Sequence, residues 1–142
     1  MDVDVVTSRA EIQKPAEKAV ILLDTHAAIW LHTHHARAAR LVRPGRPLYV
    51  SPVTLLEMQV LTEAGRMRLR RGSTPRDVFA DHRWAQDDPP SGDWFEAALD
   101  VGWTRDIFDR LLVAHARLRR WRLATSDATI IEHLNAHEYF EL

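Results

Sequence analysis

Short apolar runs and segments with helical spacing alternate along this chain. Residues 20–23 are four apolar residues in a row, which end at Asp24 before apolar residues return at helical spacing. A second run, LYVS at 48–51, leads into Pro52 and an amphipathic stretch that ends at Gly65. Runs of this kind are typical of strands that are buried on both faces. Strand, helix, strand, helix in this order predicts an α/β fold with a mainly parallel sheet.

The second half of the chain is predicted to be mostly helical. Residues 73–82 and 91–101 have helical spacing on either side of the breaker DDPP, and we expect them to form an α-helical insert. A longer amphipathic helix is predicted over residues 104–120. A third strand at 121–125, a short helix and a final strand at 139–142 complete the predicted elements.

Residues 1–19 differ from the rest of the chain. They mix charged residues with Pro15 and show little periodicity, so we expect a flexible extension before a folded domain of residues 20–142. With 46% apolar and 27% charged residues, the chain has an ordinary globular composition. No segment approaches the roughly 18 to 20 apolar residues that span a bilayer, and the N-terminus lacks a targeting signal. We therefore expect a soluble, cytoplasmic protein.

Missing residue types exclude several chemistries. The chain has no cysteine, which excludes disulfides, thiolate zinc sites and a cysteine nucleophile. Its only lysines, Lys14 and Lys18, precede the first strand, so a Schiff base or a phosphate-loop site is not expected in the folded domain. No Ser, His and Asp set has the spacing of a nucleophile elbow.

Arginines form two clusters, one at residues 66–71 and one at residues 105–122. Arginine pairs with phosphate and stacks on bases, so these clusters indicate a nucleic-acid-binding face, although a solvated basic surface explains them equally well. Four arginines of these clusters are the candidate nucleic-acid-binding residues. They are Arg66, Arg68, Arg105 and Arg110.

Three aspartates occupy positions where a strand ends or a helix begins: Asp24, Asp109 and Asp127. In a parallel sheet the carboxyl ends of the strands share one edge, so Asp24 and Asp127 should meet there. Each aspartate also has a simpler explanation as a helix cap, and Asp106 with Asp109 fits a cap at three-residue spacing.

Glu57 is predicted to lie on the buried face of its helix. A lone buried carboxylate costs several kcal/mol, so it needs either a bridging cation or a salt bridge to a buried arginine. The two explanations stay open from this helix alone. The predicted apolar stripe consists of Val53, Leu56, Val60, Leu61 and Ala64.

A set of carboxylates alone favours Mg²⁺ or Mn²⁺, and such a cation would activate water against a phosphodiester. Thr25 and Ser126, next to two of the acids, are candidate supporting residues that could hydrogen-bond water or phosphate. The histidines at 32–35 have no fixed carboxylate partner in the prediction, so a metal site there is not expected. His115 is predicted to be a core histidine.

Four segments together resemble the motif blocks of PIN-domain ribonucleases, and most closely those of VapC toxins from bacterial type II toxin–antitoxin pairs. The blocks occur in the family's order and span the chain from Val20 onward. They are LLDTHAAIW at 22–30, SPVTLLEM at 51–58, RDIFDRLLVAHA at 105–116 and LATSD at 123–127.

The resemblance implies a three-layer α/β/α fold around a parallel sheet and Mg²⁺- or Mn²⁺-dependent endonucleolytic cleavage of RNA. It also implies a homodimer and a cognate VapB antitoxin that covers the site. Asp106 is the third candidate supporting residue, expected to orient the start of its helix while Asp109 faces the metal. The family's metal-binding acids fall on Asp24, Glu57, Asp109 and Asp127.

The chain departs from the sequence pattern of the family in two segments. Residues 84–93 lack the short apolar strand that the family often has, and residues 1–19 exceed its usual start.

One alternative to a toxin ribonuclease is a catalytically silent PIN-like module that binds RNA or protein. The other is a phosphatase of the haloacid dehalogenase type, which requires a second aspartate where this chain has His26.

Overall fold

Five parallel strands form a single sheet in a computed structural model, which describes residues 20–142. Their order across the sheet is β3-β2-β1-β4-β5, so β1 lies at the centre. In register, Leu22 of β1 lies between Tyr49 of β2 and Leu123 of β4. The strands are β1 Ile21–Leu23, β2 Leu48–Val50, β3 Ala85–Gln86, β4 Arg122–Thr125 and β5 Tyr139–Glu141.

Helices cover both faces of this sheet. The α-helices are α1 Thr25–His32, α2 Pro52–Glu63, α3 Pro75–Phe79, α4 Ser91–Ala98, α5 Ile107–Arg119 and α6 Ala128–His133. Two 3₁₀ helices, Ala36–Leu41 and Ala136–Glu138, complete the described elements.

The core divides into two clusters, one on each face of the sheet. Ile21 and Leu23 pack with residues of α1, α2 and α3, whereas Leu22 between them packs with residues of α4, α5 and α6. Side chains of a strand alternate between faces, so β1 contributes to both clusters. The predicted parallel sheet and the three-layer α/β/α arrangement are therefore confirmed.

Side-chain caps begin four of the described helices. Asp24 is the N-cap of α1, Ser51 that of α2, Asp106 that of α5 and Asp127 that of α6. Pro52 occupies the first turn of α2, where its missing N–H costs nothing. The predicted helix starts are thus confirmed. Helices α1, α2 and α6 directly follow β1, β2 and β4, so they begin at the carboxyl edge of the sheet.

The predicted α-helical insert is partly wrong. Ala85 and Gln86 form β3, which pairs in parallel with β2, and the N–H of Asp87 extends the pairing to the carbonyl of Val50 at 3.0 Å. Both residues of β3 are exposed, so their sequence carries no apolar signal. The preceding helix, α3, is also shorter than the predicted range 73–82.

The predicted apolar stripe of α2 is also wrong in part. Leu56 is 58% exposed and Val60 is 41% exposed. The buried residues of α2 are Val53, Thr54, Glu57 and Met58. Glu57 lies on the buried face as predicted, but with a different set of neighbours.

No helix of the described part of the chain is long and apolar enough to cross a bilayer. The expected flexible extension, residues 1–19, lies outside the described residues.

Candidate active site

A cavity of about 380 Å³ opens at the carboxyl edge of the sheet. All four predicted metal ligands line it, and so do the three candidate supporting residues. These residues are Asp24, Thr25, Glu57, Asp106, Asp109, Ser126 and Asp127. Residues separated by up to 103 positions thus meet because β1, β2 and β4 end at one edge and α5 begins there.

Asp24 is both a helix cap and a cavity residue. Its Oδ1 accepts a hydrogen bond from the backbone N–H of Ala27 at 2.7 Å, and only 6% of the residue is exposed. Burial raises the pKa of Asp24, and the nearby charge of Asp127 adds to this, although the Ala27 N–H and Thr125 oppose it. Asp24 can therefore cap α1 and also be a candidate metal ligand.

Glu57 has a hydroxyl partner and no arginine partner among residues 20–142. Thr25 Oγ1 donates to its Oε1 at 2.5 Å, and that hydroxyl also lies 3.2 Å from Thr54 Oγ1. Burial raises the pKa of Glu57, and the charges of Asp106 and Asp24 raise it further, against the Thr25 bond. Of the two explanations left open by the sequence, the salt bridge to a buried arginine is excluded for the described residues.

Asp109 has a strongly raised pKa. Its pKa rises to about 7 through burial first and then through the charges of Asp106, Asp127, Glu57 and Asp24. Strongly raised carboxylate pKa values in a cleft are typical of functional sites. The backbone N–H of Asp109 donates to Asp106 Oδ1 at 3.0 Å, so Asp106 caps α5 as expected.

Asp127 is exposed at the start of α6. Its Oδ1 accepts hydrogen bonds from the backbone N–H groups of Thr129 at 2.9 Å and Ile130 at 3.1 Å. Its own N–H donates to Thr125 Oγ1 at 3.1 Å. One carboxylate oxygen therefore fixes the helix start.

The chemistry of this donor set fits a divalent cation. Four carboxylates share one cavity, and burial together with the charges of the neighbouring acids raises the pKa of Asp109. A divalent ion with a preference for oxygen would neutralise that charge. As the side chains stand, however, no three Asp, Glu or His residues of the range 20–142 converge closely enough to hold one ion. Binding therefore requires the carboxylates to reorient toward the cavity.

The four candidate RNA-binding arginines are not together. Arg66 lines the acidic cavity, whereas Arg68 lines a separate cavity. Arg105 donates to the carbonyl of Gly102 at 3.0 Å. Arg110 donates to the carbonyl of Ala98 at 2.8 Å, which places its guanidinium at the end of α4. The structure thus brings only Arg66 to the acids.

Sequence reasoning missed His26 as a cavity residue. This exposed side chain lies in the first turn of α1, and its charge lowers the pKa of both Asp24 and Glu57. Its position two residues after Asp24, at the same helix end, was the available signal. Leu61 and Leu112, which form an apolar part of the lining, were also not predicted.

Two other histidines have carboxylate partners. His115 is completely buried, as predicted, and its Nε2 lies 2.7 Å from Asp87 Oδ2. The expectation that the run at 32–35 lacks a fixed carboxylate partner is wrong, since His32 Nδ1 lies 2.8 Å from Asp81 Oδ2. These residues are 49 positions apart, so the pairing carries no local sequence signal.

Solved structures of toxin–antitoxin complexes share this fold. A toxin–antitoxin complex from Klebsiella pneumoniae matches with a TM-score of 0.61 at 18% identity, covering 86% of this chain and 99% of the other. VapBC2 from Rickettsia felis bound to promoter DNA matches with a TM-score of 0.63 at 14% identity, covering 87% and 98%. VapBC-1 from nontypeable Haemophilus influenzae matches with a TM-score of 0.58 at 17% identity, covering 86% and 97%.

The family comparison covers nearly the whole described domain. No curated protein matches the chain in sequence. The family model described as the PIN domain matches residues 21–134, which include all four acids of the cavity. The chain therefore belongs to the PIN domain family.

Proposed function

We propose that this protein is a VapC-type toxin, an endoribonuclease that hydrolyses RNA phosphodiester bonds with a divalent cation. The observation that carries the proposal is the cavity in which four carboxylates meet, where burial and then the charges of the neighbouring acids raise the pKa of Asp109 to about 7. The fold shared with toxin–antitoxin complexes adds to it.

Asp24, Glu57, Asp109 and Asp127 would hold the cation, Mg²⁺ or Mn²⁺. When bound, such an ion lowers the pKa of a coordinated water and neutralises charge on the phosphate. The four carboxylates suit one or two ions of this kind, because hard cations take oxygen ligands.

The surrounding residues position these acids and the substrate. Thr25 holds Glu57 through its hydroxyl, and Asp106 caps α5 so that Asp109 faces the cavity. Arg66 lies at the cavity wall, where its guanidinium can bind a phosphate of the RNA bidentately. Ser126 is placed to hydrogen-bond a phosphate oxygen or a water molecule.

The direct test is cleavage of RNA by purified protein with Mn²⁺ or Mg²⁺. We expect Asp24→Asn to lower the cleavage rate by about a thousandfold or more, because it removes one charged ligand from the transition state. The matched control is Asp100→Asn, which changes an exposed aspartate outside the cavity and should leave the rate unchanged. Circular dichroism and thermal unfolding verify that both variants fold.

A catalytically silent PIN-like module is the second candidate. One observation favours it: within the described chain no three acids converge on an ion position as they stand. Intact RNA after incubation of the wild-type protein with Mn²⁺ would establish this candidate in place of the nuclease.

A VapB-type antitoxin is the proposed partner. Ile107, next to Asp106 at the cavity, is 61% exposed, and Phe95 and Leu99 of the neighbouring α4 segment are 56% and 72% exposed. Such apolar surface beside a site is typical of a protein interface. The small gene next to this one should encode a protein that co-purifies with the chain and blocks cleavage.

We also propose that the protein is a homodimer. Size-exclusion chromatography with light scattering tests this.

A further inference from the structure

A second cavity, of about 430 Å³, opens at the other end of α1. Cationic and imidazole side chains dominate its lining. They are His32, His34, Arg68, Arg70 and Arg83. Thr33 and Ser73 add two hydroxyl groups. We call this space the basic cavity.

The segment that follows α2 connects the basic cavity with the acidic one. Arg66, Arg68 and Arg70 are exposed, while Met67 and Leu69 between them pack against the core. This alternation of exposed and packed residues places the three arginines along one outer face. Arg66 lines the acidic cavity, and the next two arginines of the row line the basic cavity.

The charges of the basic cavity are only partly balanced. Arg83 is paired with buried Asp81 at 2.7 Å, and Asp81 also bonds His32. Arg83 further donates to the carbonyl of Leu31 at 2.9 Å, which anchors its guanidinium. Within residues 20–142 no carboxylate lies within salt-bridge distance of Arg68 or Arg70. The guanidinium groups of Arg68 and Arg70, next to the anchored side chain of Arg83, therefore remain available to bind an anion.

The distance between the cavities suits a strand of RNA. Thr25 and His26 at the start of α1 line the acidic cavity, and His32 at its end lines the basic cavity. A helix of eight residues is about 12 Å long. Stacked nucleotides advance about 3.4 Å each, so about four nucleotides cover this distance.

We infer that the basic cavity binds phosphate groups of the RNA strand about four nucleotides from the bond that is cleaved. The inference rests on the proposed function, because the cleaved bond is assigned to the acidic cavity. Arg68 and Arg70 bind the phosphates, while Arg83 and Asp81 hold the wall of the cavity in place. This site deepens the proposed nuclease by giving the substrate a second point of attachment.

The experiment measures binding without cleavage. Fluorescence anisotropy with single-stranded RNA of 12 nucleotides, in EDTA, compares the wild type with the double variant Arg68→Ala/Arg70→Ala. We expect the dissociation constant to rise about tenfold. We also expect the slope of log K against log salt concentration to fall by about 1.4, since each lost phosphate contact on a single strand contributes about 0.7.

A matched control separates the cavity from general surface charge. Arg71 is an exposed arginine of the same segment that does not line the basic cavity. Arg71→Ala should change the dissociation constant less than twofold. Equal effects of the double variant and of Arg71→Ala would overturn the inference. RNA of two nucleotides, which cannot reach both cavities, should bind the wild type far more weakly than the 12-nucleotide RNA does, and equal affinities would overturn the inference.

Competitors identify the source of the phosphate. Inorganic phosphate or a polyglutamate peptide, added at the same concentration of charged groups, should displace the 12-nucleotide RNA far less well than unlabelled RNA does. Full displacement by phosphate would mean a free-anion site, and full displacement by the peptide would mean an acidic protein partner; either result overturns the RNA assignment. EDTA prevents metal-dependent cleavage, so these binding results do not depend on the nuclease test. If Asp24→Asn abolishes cleavage while Arg68→Ala/Arg70→Ala binds RNA like the wild type, the RNA site in the basic cavity is refuted and the proposed nuclease is not.

Discussion

The two ends of α1 carry cavities of opposite charge, and the carboxylates beside them, half-buried Asp109 and buried Asp81, have pKa values shifted in opposite directions. At the start of the helix the pKa of Asp109 rises to about 7, since burial and four neighbouring carboxylates disfavour its charge. At the other end the pKa of Asp81 falls to about 2: burial opposes the charge, but hydrogen bonds from Arg83 and His32 outweigh it.

This difference separates a structural charge cluster from a ligand site. Asp81 is satisfied by its neighbours, as is Asp87, which bonds both His115 and Arg119. Among residues 20–142, no acid of the acidic cavity forms a salt bridge, and neither Arg68 nor Arg70 of the basic cavity has a carboxylate partner. Charge that the protein itself leaves unbalanced marks the two places where a cation and a polyanion are proposed to bind.

The largest expected effect on stability comes from removing the Asp81 carboxylate, which pairs with Arg83 and His32 beside the basic cavity. Asp81→Ala leaves Arg83 and His32 without their buried partner, so we expect the free energy of unfolding to fall by about 3 kcal/mol. Urea denaturation measures this. Asp88→Ala, at an exposed position, should change it by less than about 0.5 kcal/mol. A similar small change in both variants would show that Asp81 is not a structural counterion.

A smaller effect of opposite sign is expected in the acidic cavity. Asp109→Asn removes one of several repelling charges, so the metal-free variant at pH 7 should be more stable than the wild type by about 1 kcal/mol. Thermal unfolding in EDTA measures this change. A loss of stability would indicate that Asp109 forms a structural contact instead.

The pH dependence sharpens this second prediction. The pKa of Asp109 is higher in the folded protein, about 7, than its ordinary value of 3.8. The folded state therefore binds the proton more tightly, which stabilises it fully below pH 3.8 and progressively less as the pH rises to 7. Between these values the stability advantage of Asp109→Asn over the metal-free wild type should grow with pH. An advantage that stays constant with pH would contradict the assignment.

Much of the fold and the four acids could be predicted from the sequence, because those signals are local. Asp24 and Asp127 follow buried strands and begin helices, and this position alone places them at one sheet edge. The burial of Glu57 was predicted correctly from an apolar stripe that includes exposed Leu56 and Val60. That prediction succeeded although part of its basis was wrong.

The remaining features depend on pairings that sequence spacing does not encode. Strand β3 has two exposed residues and exists through backbone hydrogen bonds to β2. The contact between Asp81 and His32 and the division of Arg66 and Arg68 between two cavities arise only when distant segments pack together. The arginine clusters in the sequence therefore did not predict where each arginine lies relative to the acidic cavity.

Calorimetric titration of Mn²⁺ into the RNA-free protein tests the central claim most directly, that the four acids form a metal site. At pH 7 the wild type should bind Mn²⁺ and release a fraction of a proton, because the cation displaces the proton that Asp109 holds with a pKa of about 7. Asp109→Asn should bind at least about tenfold more weakly and without that proton release. Equal binding by both proteins, or no binding by the wild type, would contradict the account.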